Sequence, residues 1–157
     1  FGHSFFDRQL MDRGIDLRFG RNQLSLNQTT VAGYATCDYI ATPTNGTAQE
    51  VMTELRKKAQ TEAYCLTYDG DFVGKITINQ LLDAPPEKPV SAFLDRSPLT
   101  LNETHSMHEA IEIASSFVGE SIPVVSKETG KMLGVLTEAD LFAAYLKIQD
   151  NIRAVER

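Results

Sequence analysis

The stretch Gly134-Val-Leu-Thr137-Glu-Ala-Asp140 decides the fold of this chain. Val135 and Leu136 are apolar and follow a glycine, and Thr137 opens an amphipathic run that ends near Ile148. The pattern predicts a short buried strand that passes directly into a helix. The first N–H groups of a helix lack internal partners and carry partial positive charge, and therefore such a turn can hold a phosphate.

The same turn has a second interpretation. Thr137 and Asp140 have the spacing of a capping box, in which two side chains satisfy the backbone at the start of a helix. On that interpretation the turn serves only the fold. On the other, the Asp140 carboxylate accepts hydrogen bonds from the hydroxyl groups of a ribose. The rest of the chain bears on the choice because it repeats around this stretch.

Composition places the chain among ordinary globular proteins. It has 157 residues, 42% of them apolar and 23% charged, which predicts one domain or two small halves that share a core. The net charge of −6 argues against a nucleic-acid partner, because phosphate binding needs a basic surface. No apolar run approaches the roughly 18 residues of a membrane span. No secretory signal is visible, and we expect a cytoplasmic domain.

Two further expectations come from the start of the chain and from its thiols. The chain lacks an initiator Met, which predicts a piece of a longer protein. Cys37 and Cys65 do not have the spacing of a metal or redox pair, and each lies beside apolar or aromatic residues. We expect both to be buried, reduced thiols.

An internal repeat begins after residue 30, with an offset of 59 or 60 residues. Four pairs of segments align: 31–35 with 90–94, 47–50 with 106–109, 63–66 with 122–125, and 74–80 with 134–140. Thr47 and Ser106 each stand three residues before a glutamate, which predicts that each caps a helix. Each unit is predicted to contain a short strand, a helix, a strand, a turn, a strand and a helix.

We therefore predict an N-terminal arm at 1–29, a first repeat at 30–88 and a second repeat at 89–157. A unit of about 59 residues is marginally stable alone. Two units that pack their sheets together solve this problem. The predicted fold is a mixed α/β (α+β) body with pseudo-twofold symmetry and a groove between the repeats.

The segment order, the Ile122-Pro-Val-Val125 strand and the Thr137 turn resemble a tandem pair of cystathionine-β-synthase (CBS) domains, called a Bateman module. The resemblance covers residues 31–149 and implies two βαββα repeats. It implies a regulatory module that binds an adenine nucleotide (AMP, ADP or ATP), needs no metal, and acts on an attached enzyme, channel or transporter. It also implies that the module is not itself an enzyme, and no acid, base and nucleophile constellation is visible.

The resemblance also implies a composite nucleotide site. Thr137 would face a phosphate and Asp140 the ribose hydroxyls. The first repeat would cradle the base with its first strand and with the stretch before its central strand. These cradle residues are Tyr39, Ile40, Gln60, Thr61 and Glu62. Tyr64 stands where the family has a proline, and the chain departs from the pattern at that position.

The mirror site departs further from the family pattern. Gln80 stands where a ribose-binding carboxylate is expected, and an amide is a weaker acceptor than an ionised group. The mirror cradle would consist of Leu99, Gly119, Glu120 and Ser121. Because Glu120 would bring an acidic side chain near a phosphate, we expect this second site to be empty or structural.

The arm resembles the segment that joins the last membrane helix of CLC-type chloride channels and transporters to their CBS pair. The similarity covers residues 5–15. It implies a cytosolic regulatory domain of an integral membrane protein, with an arm that docks on the body through Leu10, Ile15 or Leu17. The alternatives are a CBS pair of another transporter or metabolic enzyme, or a structural dimerisation module without ligand.

Two other features leave alternatives open. The last helix carries an apolar face that is either core or a dimer surface, and we expect a homodimer. This face consists of Leu141, Phe142, Tyr145 and Leu146. His105 and His108 are three residues apart, but no cluster of recognised spacing completes a metal site. We therefore expect them to form the polar start of a helix.

Overall fold

The computed structural model describes the backbone of residues 30–156 and the side chains of residues 30–147 and of Asp150. The predicted arm, with its expected contacts from Leu10, Ile15 and Leu17, lies outside the described residues.

The described elements follow the order predicted from the repeat. The first repeat contains β1 (Ile40–Pro43), α1 (Ala48–Lys57), β2 (Glu62–Leu66), β3 (Phe72–Thr77) and α2 (Ile78–Leu81). The second contains α3 (Met107–Ala114), β4 (Ser121–Val125), β5 (Met132–Thr137) and α4 (Glu138–Glu156). The predicted mixed α/β fold is confirmed. Helix α4 continues to Glu156, and the prediction that it ends near Ile148 was wrong.

Each repeat contributes one small sheet. In the first, β1 pairs in parallel with β2, and β2 pairs antiparallel with β3. In the second, β4 pairs antiparallel with β5, and the predicted first strand is reduced to a single bridge between Leu101 and Val124. Pro123 is the cause, because a proline has no N–H to donate and a parallel pairing cannot extend past it. Tyr64 stands at the equivalent position of the first repeat, and there the pairing continues.

The central helices begin at the predicted caps. The Thr47 hydroxyl accepts a hydrogen bond from the Glu50 N–H at 3.2 Å. The Ser106 hydroxyl accepts from the Glu109 N–H, and the Glu109 carboxylate accepts from the Ser106 N–H, both at 3.1 Å. The second pair is a complete capping box.

The two apolar cores exchange their opening segments. Val31, Tyr34 and Ala35 open the first repeat, but they pack against the core of the second. The equivalent residues at the start of the second repeat, of which Val90 is fully buried, pack against the core of the first. Each repeat therefore completes the core of the other, and neither core is built from one continuous segment.

Glycines permit this exchange. The backbone of Thr36 bonds to that of Val135 in both directions at 2.9 Å, beside Gly134. A Cβ at Gly134 would lie 2.7 Å from the Thr36 carbonyl oxygen, which is closer than real contacts allow. Gly74 meets the Asp95 carbonyl oxygen at the same 2.7 Å in the other repeat. The glycine that opens the decisive stretch is therefore required by the close approach of another chain segment.

The two hairpin turns also join the repeats. The Phe72 N–H donates to the Gly130 carbonyl at 2.9 Å, and the Met132 N–H donates to the Gly70 carbonyl at 3.0 Å. The Lys131 ammonium lies 3.5 Å from an Asp71 carboxylate oxygen. The sheets are thus connected at their turns as well as through the exchanged segments.

The structure decides the open question about the α4 face. Leu141, Phe142 and Tyr145 are buried in the core of the second repeat, whereas Leu146 is 37% exposed. Most of this face is therefore core, and it no longer supports the expectation of a homodimer.

One of the two thiols is not buried. Cys65 is fully buried, but Cys37 is exposed, and the prediction for Cys37 was wrong. Cys37 lies in the irregular segment between Thr36 and β1, where an apolar neighbour in sequence does not imply a place in a sheet. Within residues 30–156, no helix is both long and apolar enough to cross a bilayer.

Candidate functional site

A cleft of about 100 Å³ lies between the two repeats. It is lined by Asp38, Tyr39, Gln60, Glu62, Tyr64, Glu120, Ser121, Val135 and Thr137. Four of the seven predicted site residues, Tyr39, Gln60, Glu62 and Thr137, therefore come together in one place. The first three belong to the first repeat and Thr137 to the second, as a composite site requires.

The other three predicted residues lie around this cleft without lining it. Ile40 is 3% exposed and belongs to the first core. Thr61 is exposed, and its hydroxyl donates to the Glu120 carboxylate of the second repeat. Asp140 lies in the first turn of α4, beside Thr137.

The turn at Thr137 has the geometry of a complete capping box. The Thr137 N–H donates to Asp140 Oδ2 at 3.0 Å, and the Asp140 N–H donates to Thr137 Oγ1 at 3.1 Å. A hydroxyl that accepts one hydrogen bond still has a proton to donate, and a carboxylate has a second oxygen. Capping therefore leaves the Thr137 hydroxyl able to donate to a phosphate and Asp140 able to accept from a ribose hydroxyl.

Two tyrosines form the wall that belongs to the first repeat. Tyr39 meets Tyr64 edge to face, with ring centroids 5.8 Å apart. Burial raises the pKa of Tyr39, and Cys37 adds to the rise. Burial also raises the pKa of Tyr64, with the Ser121 hydrogen bond opposing this rise and the Glu62 and Glu120 carboxylates adding to it. Both phenols are therefore neutral near pH 7 and offer a flat, partly apolar surface.

A buried ion pair closes the inner end of the cleft. Glu62 Oε2 lies 3.0 Å from the Lys75 ammonium, and the two residues are 8% and 6% exposed. Glu62 Oε1 accepts hydrogen bonds from the Ser121 N–H at 3.0 Å and from the Ser121 hydroxyl at 3.1 Å. Lys75 donates to the Ser121 carbonyl at 3.1 Å, and Tyr64 donates to the Ser121 hydroxyl. Both oxygens of the Glu62 carboxylate therefore have partners within the protein.

Sequence reasoning missed several of these groups. Asp38, Tyr64 and Lys75 had no assigned role, and Glu120 and Ser121 were assigned to the mirror cradle. One signal was available: Glu62 and Ser121 are equivalent in the repeat, 59 residues apart. Equivalent residues near a pseudo-twofold axis meet each other, and this equivalence predicts their contact.

The mirror turn is capped in the same way as the turn at Thr137. The Thr77 N–H donates to Gln80 Oε1 at 2.8 Å, and the Ile78 N–H donates to the Thr61 carbonyl at 2.8 Å. Leu99 is 38% exposed, while Glu120 and Ser121 line the cleft at Thr137. The mirror turn is short, because α2 has only four residues.

The two histidines make protein contacts at the start of α3. His105 Nδ1 accepts from the Asn102 N–H at 3.0 Å, and His108 Nε2 lies 2.9 Å from Glu112 Oε1. Among the described residues, no three His, Cys, Asp or Glu side chains are grouped so that they could hold a metal ion.

Comparison with known proteins agrees with the fold. Residues 90–147 match the model of the CBS domain family. A solved structure of CbpB in complex with c-di-AMP is similar at a TM-score of 0.73 and 14% identity, over 85% of this chain and 95% of that one. The structure of the Arabidopsis thaliana protein CBSX2 in complex with AMP is similar at a TM-score of 0.65 and 20% identity, over 77% of this chain and 98% of that one.

Two further matches come from larger or membrane-associated proteins. The CBS pair of a putative Mg²⁺ transporter from Shewanella oneidensis is similar at a TM-score of 0.68 and 13% identity, over 89% of this chain and 86% of that one. A curated relative, the A-adding tRNA nucleotidyltransferase of Aquifex aeolicus, is 32% identical over 99 residues. That match covers 61% of this chain but only 12% of the relative.

These findings define the fold of the protein. The second repeat matches the CBS domain, and the described chain has the mixed α/β fold of a CBS domain pair. The two repeats meet at a composite cleft.

Proposed function

We propose that this chain is a regulatory module that binds an adenine nucleotide in the cleft at Thr137. The observation that carries the proposal is the composite lining: Thr137 comes from the second repeat, and Tyr39 and Gln60 come from the first. AMP in CBSX2 and c-di-AMP in CbpB share the adenosine group that such a cleft would take.

The residues suggest how a ligand would be held. The Thr137 hydroxyl would donate to a phosphate, the Asp140 carboxylate would accept from the ribose, and the Tyr39 ring would contact the base. These groups lie on both repeats, so a bound ligand would favour one arrangement of the pair over others. A ligand shifts a conformational equilibrium only through such a difference in affinity, and this is the means by which the module would act on an attached protein.

The test is titration calorimetry of the 157-residue chain with AMP, ADP and ATP, with uridine monophosphate as the control. We expect binding of at least one adenine nucleotide at one site per chain, and no binding of the pyrimidine. If no adenine nucleotide binds at millimolar concentration, the proposal is refuted and a purely structural dimerisation module is favoured instead.

The attached protein is a separate proposal. Similarity of residues 5–15 to CLC-type proteins supports a chloride channel or transporter, and this module would then be its cytosolic domain. The 32% identity to a tRNA nucleotidyltransferase supports an enzyme instead. Reading the gene upstream of Phe1 distinguishes them: a channel requires successive apolar helices there, and their absence would remove the channel from consideration.

A further inference from the structure

We infer that the cleft selects adenosine ligands with no more than one phosphate, and that Glu120 and Asp38 exclude di- and triphosphates. The inference rests on the proposed function and specifies its ligand class. It starts from the charges that line the cleft. Three of the nine lining residues are carboxylates, and none is a lysine or an arginine.

Among the described residues, the buried cation Lys75 does not balance these charges. Lys75 is buried 3.0 Å from Glu62 and donates to the Ser121 carbonyl, so its charge is matched within the protein. The Glu120 carboxylate accepts from the Thr61 hydroxyl, and Asp38 is exposed at the same cleft. The remaining charge in the cleft is therefore negative.

A phosphate held at Thr137 lies near both carboxylates, because Asp38, Glu120 and Thr137 line the same small cleft. Charges closer together than roughly 8 Å are only weakly screened at physiological salt. Every phosphate held there therefore interacts with both carboxylates, and each additional phosphate adds repulsion.

The capping box uses part of the donor capacity at the helix start. The N–H groups of Thr137 and Asp140 already donate within the capping box. The Thr137 hydroxyl can serve one phosphate oxygen but not a chain of them. A neutral nucleoside or a monophosphate fits this supply of donors better than ATP does.

The experiment measures dissociation constants for adenosine, AMP, ADP and ATP by titration calorimetry, with and without Mg²⁺, at low and high salt. The variants are Glu120→Gln and Asp38→Asn, which keep the side-chain shape and remove the charge. The control is Glu128→Gln, an exposed carboxylate in the turn beyond the far end of β4.

In the wild type we expect affinity to fall from AMP to ADP to ATP. Glu120→Gln should lower the ratio of the ATP to the AMP dissociation constant about threefold or more at low salt, as expected for one charge removed at short range. Adenosine binding should change less than twofold, and Glu128→Gln should change neither value.

Three outcomes overturn the inference. Wild-type protein that binds ATP as tightly as AMP, with or without Mg²⁺, contradicts it directly. An unchanged ATP to AMP ratio in both charge-removing variants shows that these carboxylates do not select. No binding of any of the four compounds to wild type or variants refutes the proposed function, and the inference falls with it.

Discussion

The two strand-to-helix turns have nearly the same local geometry and different surroundings. In each, a threonine N–H donates to the side chain three residues later, at 2.8 Å for Gln80 and 3.0 Å for Asp140. The first turn continues the β2–β3 ladder, where the Ile78 N–H donates to the Thr61 carbonyl, and Thr137 of the second turn lines the cleft between the repeats. Capping geometry alone therefore does not distinguish a structural turn from a candidate binding turn; the lining of the neighbouring cleft does.

The repeats also differ where they meet. Glu62, Tyr64 and Lys75 in the first repeat correspond to Ser121, Pro123 and Val135 in the second, by the same offsets of 59 and 60. The first repeat thus contributes a buried ion pair between Glu62 and Lys75. The second repeat contributes smaller, uncharged residues, and its Ser121 N–H donates to the Glu62 carboxylate.

The largest effect is expected from breaking this ion pair on one side. Glu62→Ala leaves the Lys75 ammonium buried without its carboxylate, which should lower the free energy of unfolding by about 3–5 kcal/mol. Ser121→Ala removes only a hydroxyl from the same contact and should cost about 1 kcal/mol. Chemical denaturation measures both.

A double variant provides the control for this comparison. Glu62→Leu with Lys75→Met removes both charges and should recover most of the stability lost in Glu62→Ala. Equal losses in Glu62→Ala and Ser121→Ala would show that the ion pair is not what distinguishes the two repeats.

The next effect compares the two turns as binding sites. Asp140→Ala should weaken adenine-nucleotide binding at least tenfold, because hydrogen bonds to a charged group contribute about 1.5–3 kcal/mol. Gln80→Ala should leave binding unchanged. Each variant should cost about 1 kcal/mol of stability through its lost cap interaction. Calorimetric titration of both variants measures the two affinities. Equal losses of binding would show that the site is not at the Thr137 turn.

The last comparison concerns the outer helices. In the second repeat Leu141, Phe142 and Tyr145 are buried in the core, but in the first repeat Leu82 is 61% exposed beside a groove of about 260 Å³ between α1 and α2. If this groove joins two copies in a homodimer, Leu82→Glu should weaken self-association about tenfold or more, because it introduces a charge into an apolar contact.

Sedimentation at micromolar concentration tests the homodimer. Tyr68→Glu is the matched control, since Tyr68 is fully exposed on the hairpin turn between β2 and β3 and does not line that groove. A wild-type chain that sediments as a monomer at this concentration would contradict the homodimer. Equal effects of both substitutions would show that the two copies do not meet at the α1–α2 groove.

The sequence by itself determined the order of elements, the capped helix starts and the repeat. The helix starts could be predicted because a cap depends on residues only three apart, as at Thr47, Ser106 and Thr137. The composite cleft was also within reach, because the repeat places Thr137 opposite the first repeat, and Tyr39, Gln60 and Glu62 lie with it. These predictions rest on local spacing and on symmetry.

Only the tertiary structure decided which segments complete each core and which charges enter the cleft. The exchange of Val31 and Val90 between cores leaves no local pattern, because either segment is apolar enough to pack on either repeat. The pairing of Glu62 with Lys75 and the place of Glu120 across the cleft depend on how the sheets meet. Contacts between residues far apart in sequence have no fixed spacing, and only the folded chain brings them together.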